Sequence, residues 1–571
     1  MPRPYGRRAF LAMAGAAAAS CALPVPGVER PSAIPATPVP DRVRSIVAGL
    51  SVEQKVGQLM SIAFHGGRIT PAVEGMIRQR AVGGLVLRAE NAEDATALAK
   101  LTSDLQAIAK DAKAPPLFLA LDQEGGPVIR VGKGMTILPG QMALAATVDP
   151  AAAVKTCVGI NAAELRAVGI NWNLAPVADV NDEPRNPIIG NRSFGSDPKQ
   201  VANLVTQEVA AYRDAGFLCC AKHFPGHGAT TTDSHTGLPE IDSERKRLDA
   251  VELVPFKAAI AAGVPAIMSA HIVVPALDAT PSLPVTLSKK VMTDLLRGEL
   301  GFGGLVVSDD LEMGALASVG EARAGLMAFE AGVDHLLFRF DESAYTEGHR
   351  LLVDAVKSGR IAASRLDASV ARVIGIKVAN GIYDAPASVA IDRDANARIA
   401  MDLARQSITL LKNDGVLPLR GKVLVLATGL IDISQVPGDS DIAAEMVAAR
   451  PNTTGHRFAR ATDEFIASSV SEARGYDAVV IGAADVGVND DQRKLIEAVS
   501  AVKPTVVVSQ RAPYDSLYVS GVSAFVCAYS GRVPTLRATI EILTGQRKPQ
   551  GRLPVDIPGR FPIGSGMKDL A

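Results

Sequence analysis

The chain is poor in cysteine, with five among 571 residues. One of them, Cys21, lies in the N-terminal segment, and the other four are Cys157, Cys219, Cys220 and Cys527. Two of these are adjacent within an apolar run, so we expect buried small hydrophobic residues rather than a disulfide framework. No Cys/His spacing is typical of a zinc site either. The sequence therefore predicts no metal and no other cofactor.

Dense clusters of lysine and arginine are also lacking, and the formal net charge is −1. This balance argues against nucleic acid or an anionic membrane surface as a partner. The chain is 48% hydrophobic and 21% charged, which is typical of a soluble globular protein. A length of 571 residues exceeds what one ordinary core needs, so two domains are expected.

The first 40 residues are predicted to lie outside the fold, as an export signal followed by a proline-rich tether. Arg7 and Arg8 precede a short apolar stretch, residues 10–19, which is well below the roughly 20 residues of a spanning helix. The paired arginines resemble a twin-arginine signal, and the residues before Cys21 resemble a lipoprotein cleavage box. An exported protein of the periplasm or cell envelope is expected. Lipid attachment at Cys21 and plain cleavage within the alanine run both remain open.

Residues 41–390 alternate between short apolar runs and longer amphipathic stretches. Ser51 to Gln54 form a predicted capping box that begins the first helix. The apolar runs begin near Leu59, Gly84, Leu117, Ile170, Leu218, Ala266, Leu305 and His335. Eight strands alternating with helices predict a (β/α)8 TIM-like barrel, with a doubly wound open sheet as the alternative.

A second alternating pattern predicts a smaller α/β sandwich domain over residues 391–571. Its apolar runs span 423–426, 478–481, 505–508 and 524–528. A turn-rich stretch separates the two patterns, which places the boundary near residues 385–395.

Polar residues follow five consecutive predicted strands of the barrel. They are Asp122, Asn173 and Asp179, Lys222 and His223, Ser269 and His271, and Ser308 and Asp309. The carboxyl ends of barrel strands meet at one mouth, where barrel enzymes assemble their sites. A purely structural protein has no need for charge at successive strand ends. The pattern therefore indicates an enzyme.

A glycine- and threonine-rich loop after the fifth strand carries Asp233 and His235. A carboxylate two residues before an imidazole can hold one ring nitrogen and raise the basicity of the other, which suits general acid/base chemistry. A solvated surface loop is the structural alternative. A metal site is a second alternative, because three histidines lie close together, but no further carboxylate or cysteine has ligand spacing.

The seventh strand ends in two neighbouring carboxylates, Asp309 and Asp310. One carboxylate at a strand mouth suits a nucleophile that attacks a sugar C1. Asp309 ends the strand, whereas Asp310 could cap a following helix. The spacing alone leaves both Asp309 and Asp310 open as the nucleophile.

Three more side chains are candidate ligands for sugar hydroxyls. Asp122 and Arg130 flank a Gly-Gly pair that permits close backbone approach, and Arg192 lies on a loop able to reach the same mouth. The alternatives are a helix cap with a salt bridge for the first two, and an ordinary surface position for Arg192.

These segments together resemble glycoside hydrolase family 3, specifically its β-N-acetylglucosaminidases. The similarity runs in order through 122–126, 173–179, 191–195, 222–235 and 308–310, and continues in the second domain at 407–413 and 551–555.

The resemblance implies a retaining, exo-acting enzyme that removes terminal N-acetylglucosamine (GlcNAc) from peptidoglycan fragments or chitooligosaccharides. Asp309 would be the nucleophile, His235 the acid/base and Asp233 its orienting partner. The implied substrate-binding residues are Asp122, Arg130, Arg192, Lys222 and His223. Family 3 β-glucosidases, whose acid/base comes from the second domain, are the enzymatic alternative, and an inactive sugar-binding envelope lipoprotein is the other.

The chain departs from the family pattern at Pro127, where Arg is common. Proline fixes the backbone and lacks an N–H donor. We therefore expect the loop that carries Arg130 to be set differently here.

Overall fold

The computed structural model describes residues 39–384, 390–429, 436 and 440–570. Arg7, Arg8 and Cys21, on which the export and lipidation predictions depend, lie outside the described residues, as does part of the predicted domain boundary. Within the described part of the chain, no helix combines the length and apolar character that crossing a membrane requires.

Eight strands of the first domain form one parallel sheet that curls into a barrel. The strands are β1 Met60–Ile62, β2 Gly84–Val86, β3 Phe118–Leu121, β4 Trp172–Asn173, β5 Ala221–Phe224, β6 Ala266–Ser269, β7 Leu305–Asp310 and β8 His335–Leu337. Their order is β4-β3-β2-β1-β8-β7-β6-β5. Single parallel bridges from Trp172 to Leu218 and from Val177 to Lys222 join the two ends. The TIM-like barrel is thus confirmed, and the open-sheet alternative is wrong.

Helices surround the barrel. They are α1 Asp41–Ala48, α2 Val52–Gln58, α3 Pro71–Arg80, α4 Ala95–Asp111, α5 Gln141–Ala145, α6 Pro150–Ala167, α7 Pro198–Asp214, α8 Arg245–Ala250, α9 Leu253–Ala261, α10 Lys290–Glu299 (with π-type turns), α11 Glu321–Ala331, α12 Glu342–Lys357 and α13 Ala363–Ala379. The predicted capping box is present, because the Ser51 and Gln54 side chains each bond the other's backbone N–H.

Alternation along the strands divides the apolar residues between two cores. On β3, Phe118 and Ala120 pack inside the barrel with Trp172, whereas Leu119 and Leu121 pack outward against the helices. Successive side chains of a strand point to opposite faces, so both sides of the strand must be apolar when both are buried. This explains why each strand appeared as a continuous apolar run.

The second domain contains a six-stranded sheet between helices. Its strands are β9 Thr409–Asn413, β10 Val423–Thr428, β11 Thr453–Phe458, β12 Ala478–Ala483, β13 Thr505–Ser509 and β14 Ala524–Cys527, in the order β11-β10-β12-β13-β14-β9. Only the β14–β9 pair is antiparallel among the pairings described. The helices are α14 Arg393–Ser407, α15 Ile442–Ala449, α16 Asp463–Ala473, α17 Asp490–Ser500 and α18 Val533–Leu543. Apolar runs predicted four strands and missed β9 and β11.

The four cysteines of the described chain, Cys157, Cys219, Cys220 and Cys527, are all buried and unpaired. Burial raises the pKa of each thiol well above its ordinary value. They act as small hydrophobic residues, as the sequence predicted.

Candidate active site

A cavity of about 260 Å³ opens at the carboxyl ends of the barrel strands. Its described lining residues run from Ala63 to Arg339, so all of them belong to the first domain. The eight predicted site residues are among them: Asp122, Arg130, Arg192, Lys222, His223, Asp233, His235 and Asp309. Barrel closure thus brings together side chains that are far apart in the sequence.

Asp309 lies near the end of β7, where its carboxylate enters the cavity. Its Oδ1 accepts the backbone N–H of Asp310 at 2.8 Å. Burial alone would raise the pKa of Asp309, but His223, His271 and this backbone N–H outweigh it, so the pKa is lowered. The carboxylate is therefore ionised at neutral pH, as a nucleophile must be.

Asp310 differs from Asp309 in its surroundings. Its Oδ2 lies 3.1 Å from the Arg339 Nε, and its Oδ1 accepts the backbone N–H of Glu312 at 3.1 Å. Burial raises its pKa to about 6 in spite of the Arg339 charge. The chain enters a turn after Asp310, so the interpretation of Asp310 as a helix cap is wrong.

Asp233 and His235 form a hydrogen-bonded pair on the loop after β5. The Asp233 Oδ1 lies 2.8 Å from the His235 Nδ1 and accepts the His235 backbone N–H at 2.9 Å. Burial would raise the pKa of Asp233, but its bonds to His235 lower it. The ionised carboxylate fixes the Nδ1–H tautomer, which leaves Nε2 as the nitrogen able to exchange a proton.

Hydrogen bonds hold this loop against the segment that follows β7. Gly314 N–H donates to the His235 carbonyl at 3.2 Å, and Ala315 N–H donates to the Ser234 carbonyl at 3.1 Å. Inside the loop, the two ring nitrogens of His227 lie 2.8 Å from the Thr230 hydroxyl and 2.9 Å from the Ser234 hydroxyl. The loop is therefore anchored to the segment that follows the strand carrying Asp309.

A network of ion pairs forms another part of the cavity wall. The Lys222 Nζ lies 2.7 Å from both Asp122 Oδ1 and Glu124 Oε1. Arg192 bonds both Glu124 oxygens, at 2.9 and 2.8 Å, and Arg130 bonds Asp122 at 3.0 Å. Burial would raise the pKa of both carboxyls, but these cations lower it, to about 2 for Glu124. The wall presents fixed donors and acceptors of the kind that bind sugar hydroxyls.

His223 is oriented by Asp179, which follows β4. The Asp179 Oδ2 lies 2.7 Å from the His223 Nδ1, and Oδ1 accepts the His227 backbone N–H at 2.7 Å. The His223 Nε2 lies 3.4 Å from an Arg192 Nη2. Asp179 thus holds two histidines of the β5 segment in place from a fully buried position.

The second domain contacts the loop that carries Arg192. Tyr514 Oη donates to the Asn181 carbonyl at 2.6 Å, and Asn191 Nδ2 donates to the Tyr529 carbonyl at 2.6 Å. Asn181 in turn accepts the Gly190 N–H through its side chain at 3.0 Å. The second domain therefore positions a wall of the cavity without supplying any of its described lining residues.

Residues that the sequence did not single out complete the site. Glu124 links Lys222 to Arg192, and Arg88 and Arg339 line the cavity at the ends of β2 and β8. Glu124 belongs to the 122–126 motif, so the sequence could have indicated it. Arg88 and Arg339 each follow an apolar run, and the same pattern identified the other strand-end residues.

Arg130 reaches the cavity and bonds Asp122 even though Pro127 precedes it on the loop. In the described ranges, no cluster of three His, Cys, Asp or Glu side chains is arranged to hold a metal ion.

Comparisons with known proteins agree with this geometry. Residues 51–376 match the glycosyl hydrolase family 3 N-terminal domain, and residues 408–562 match the C-terminal domain of the same family. Beta-hexosaminidase A of Pseudoalteromonas piscicida is 32% identical over 86% of this chain and 91% of its own length. A beta-N-acetylglucosaminidase/beta-glucosidase of Cellulomonas fimi is 31% identical over 90% of this chain and 95% of its own.

A solved structure is similar over nearly its whole length. It is a glycoside hydrolase family 3 beta-N-acetylglucosaminidase from Paenibacillus sp. FPU-7, with a TM-score of 0.85 and 36% identity over 89% of this chain and 99% of that one. Both domain matches, the full-length relatives and the cavity at the strand ends lead to one conclusion: the chain is a glycoside hydrolase and belongs to glycosyl hydrolase family 3.

Proposed function

We propose that the chain is a retaining, exo-acting β-N-acetylglucosaminidase that forms a covalent glycosyl intermediate on Asp309. The observation that carries the proposal is the Asp233–His235 pair, with its 2.8 Å contact, on a loop bonded to the segment directly after Asp309. This arrangement gives one cavity both an ionised nucleophile and an oriented proton donor. The names of the relatives from Pseudoalteromonas, Cellulomonas and Paenibacillus support the substrate class.

In the first step, an Asp309 oxygen attacks the anomeric carbon of the terminal sugar. The bond from this carbon to the leaving oxygen breaks, and protonated His235 donates its Nε2 proton to that oxygen. Asp233 stabilises the protonated imidazole through Nδ1. The low pKa of Asp309 keeps the nucleophile ionised when His235 is protonated.

In the second step, neutral His235 takes a proton from a water molecule, whose oxygen attacks the anomeric carbon. The bond between the sugar and Asp309 breaks, and the carboxylate is restored. Two displacements at one carbon retain the β configuration.

The ion-pair wall of Asp122, Arg130, Lys222, Arg192 and His223 is proposed to bind the hydroxyls of the terminal sugar. These side chains are buried, and each is already held by an ion pair within the protein, so their geometry exists before the sugar arrives. Such preorganisation reduces the entropic cost of binding and reaction. The small cavity suits one terminal sugar, which supports exo cleavage.

A β-glucosidase is the competing function, and the Cellulomonas relative has both activities in its name. In the family 3 β-glucosidases the acid/base comes from the second domain, whereas the described lining of this cavity comes from the first. An inactive sugar receptor would have no use for a nucleophile and an oriented acid. Comparison of kcat/KM on nitrophenyl β-N-acetylglucosaminide and nitrophenyl β-glucoside distinguishes the two activities. A higher kcat/KM for the glucoside would reject the proposal.

The natural substrate is proposed to be a peptidoglycan fragment, with chitooligosaccharides as the other acceptable class. Both present a terminal β-linked GlcNAc. Product analysis on defined muropeptides and chitooligosaccharides, with and without phosphate, distinguishes the two classes. The same assay shows whether phosphate replaces water as the acceptor.

Export to the periplasm or cell envelope is proposed from the N-terminal sequence. Arg7 and Arg8 would direct export, and Cys21 would carry the lipid if cleavage occurs there. Membrane fractionation of the wild-type protein and of a Cys21→Ser variant tests both the export and the lipid anchor. A soluble periplasmic wild type rejects the anchor, and retention in the cytoplasm rejects export.

A further inference from the structure

A second, small chamber lies between helices α6 and α7. Its volume is about 20 Å³, and Cys157 of α6 and Glu208 of α7 both line it. Its other polar lining side chains are Glu124, Gln141, Asn161 and Tyr212. Glu208 and Tyr212 lie four residues apart on α7, so they share one face of that helix. We call this space the α6–α7 chamber.

Glu208 is a buried carboxyl of this chamber. The residue is only 6% exposed, yet its side chain makes neither a hydrogen bond nor an ion pair within the described ranges. A buried carboxyl without a partner is costly, and the ionised form costs far more than the protonated one. Burial and the charge of Glu124 therefore raise the pKa of Glu208 to about 8, against the attraction of Lys222. Glu208 keeps its proton at neutral pH and has an O–H to donate.

Two neighbours of Glu208 have hydrogen-bonding capacity to spare. Tyr212 Oη accepts a side-chain amide N–H at 2.7 Å, but its own O–H is donated to no described residue. Glu124 Oε1 accepts both Lys222 at 2.7 Å and Arg192 at 2.8 Å. Among the described side chains, Oε2 of Glu124 accepts Arg192 alone, at 2.9 Å. Because a carboxylate oxygen can accept two hydrogen bonds, the chamber offers one acceptor on Glu124 and two donors on Glu208 and Tyr212.

We infer that one water molecule in the α6–α7 chamber joins Glu208 and Tyr212 to Glu124, and that Glu208 acts through it as a positioning residue for the ion-pair wall. A water molecule needs roughly 10–15 Å³ and two to four polar partners, and the chamber provides both. The water accepts the O–H groups of Glu208 and Tyr212 and donates to Glu124 Oε2. Glu124 in turn bonds Lys222 and Arg192, which line the active-site cavity.

Loss of the Glu208 proton should disturb this arrangement. The water must then donate to Glu208, and a second negative charge lies beside Glu124. Because Glu124 holds Lys222 and Arg192, the wall that they form should bind a sugar less well. This step rests on the proposed function, in which the wall binds the terminal sugar.

Glu208 is the group of this region that changes charge near pH 8. The other titratable groups whose charges reach it are Glu124, Lys222, Tyr212, Cys157 and Cys219. Burial raises the pKa of both thiols and of Tyr212. Against burial, ion pairing raises the pKa of Lys222 and lowers that of Glu124. All five therefore keep their charge state while Glu208 titrates.

Calorimetric titration of chitobiose, GlcNAc linked to GlcNAc, into an Asp309→Asn protein tests the inference from about pH 6 to pH 9.5. This parent protein binds without reacting. Its affinity should fall about three- to tenfold as the pH rises through 8, the contribution of about one hydrogen bond. Adding Glu208→Gln supplies an amide donor that cannot ionise. Its affinity should equal that of the parent at the acidic end and stay constant, a pattern that a merely structural role does not produce.

Two further variants control the interpretation. Glu208→Ala lacks the donor at every pH, so it should bind about three- to tenfold more weakly at the acidic end and show no further loss. Glu347→Gln, at an exposed carboxylate of α12 that pairs with Arg350, should keep the parent profile. A parent affinity that does not change with pH overturns the inference. The same pH dependence in Glu208→Gln as in its parent also overturns it.

A crystal structure of the unsubstituted protein provides a readout that needs no variant and no ligand. It should show a water molecule within hydrogen-bond distance of both Glu208 and Glu124, and a chamber without this water overturns the inference. The proposed function has a separate readout. If the enzyme hydrolyses nitrophenyl β-glucoside rather than the N-acetylglucosaminide, the proposed function is wrong, and cellobiose replaces chitobiose in the same pH series.

Discussion

Asp233 Oδ1 contacts the imidazole Nδ1 of His235 at 2.8 Å while it also accepts the backbone N–H of the same residue at 2.9 Å. One oxygen therefore fixes both the position of the histidine backbone and the tautomer of its ring. The His235 side chain is about half exposed, at 47%, so this pair provides most of its orientation. Acid/base catalysis by His235 should therefore depend on Asp233 as well as on the imidazole itself.

His235→Ala should lower kcat/KM on nitrophenyl β-N-acetylglucosaminide by about 10²- to 10⁴-fold, the usual contribution of a general acid/base. The loss in the first step should be much smaller with a dinitrophenyl leaving group, which needs no proton. Asp233→Asn should show the same trend more weakly. His65→Ala, at an exposed histidine paired with Glu90, is the matched control. An equal loss with both leaving groups would argue against acid catalysis by His235.

Asp310→Asn should leave activity within about tenfold of wild type, because its carboxylate pairs with Arg339 rather than serving as the nucleophile. It should also change how stability depends on pH. The folded pKa of Asp310 is about 6, above the ordinary 3.8. Between these values the folded state keeps a proton that the unfolded state has lost, so the wild-type free energy of unfolding falls as the pH rises through this window.

The expected size of this fall is about 2–3 kcal/mol relative to Asp310→Asn. Urea denaturation of both proteins at intervals from pH 4 to pH 7 measures it. A constant difference between the two curves would contradict the shifted pKa.

Gly314→Ala should displace the acid/base loop. A Cβ at this position would lie 2.6 Å from the His235 carbonyl oxygen, so the backbone of one segment must move. Because a displacement near 1 Å can cost about a hundredfold in rate, we expect kcat to fall by tenfold or more. Gly303→Ala, where a Cβ meets nothing within 4 Å, should have no such effect. A Gly314→Ala enzyme with wild-type kcat would show that the contact does not position His235.

Tyr514→Phe tests whether the second domain positions the Arg192 loop. The change removes the bond from Tyr514 Oη to the Asn181 carbonyl, which leaves a buried acceptor without its 2.6 Å donor. Stability should fall by about 1–3 kcal/mol, and kcat/KM should fall by about three- to tenfold. Tyr476→Phe removes a comparable hydroxyl from the far side of the domain, where it bonds Thr454 at 2.8 Å. Unchanged kcat/KM in Tyr514→Phe would limit the contact to a role in stability.

The barrel could be predicted closely because its strands are buried on both faces. The runs expected near Gly84, Ala266 and Leu305 begin where the structure places β2, β6 and β7. The edge strand β11 escaped prediction because it is largely half exposed and contains no continuous apolar run. Its identity as a strand comes from pairing with β10, which is a tertiary contact.

The site was only partly predictable from the sequence. Family motifs located Asp309 and His235, which spacing alone could not separate from Asp310 or from a surface loop. The role of Glu124 was missed because its partners, Arg192 and Lys222, become neighbours only when the barrel closes. Arg88 escaped notice for a related reason, since it joins the lining of the cavity only when the barrel closes.

The account depends most on Asp309 as the residue that forms a bond to the sugar. Incubation with 5-fluoro-β-N-acetylglucosaminyl fluoride, whose anomeric fluoride leaves as the enzyme attacks and whose 5-fluoro substituent slows turnover, followed by peptide mass spectrometry, tests this directly. The account predicts one added fluorinated N-acetylglucosaminyl group, on the peptide containing Ser308-Asp309-Asp310, with fragmentation placing it on Asp309. Asp309→Asn should acquire no label. A label on Asp310 or elsewhere, or direct release of an inverted α-product, would contradict the account.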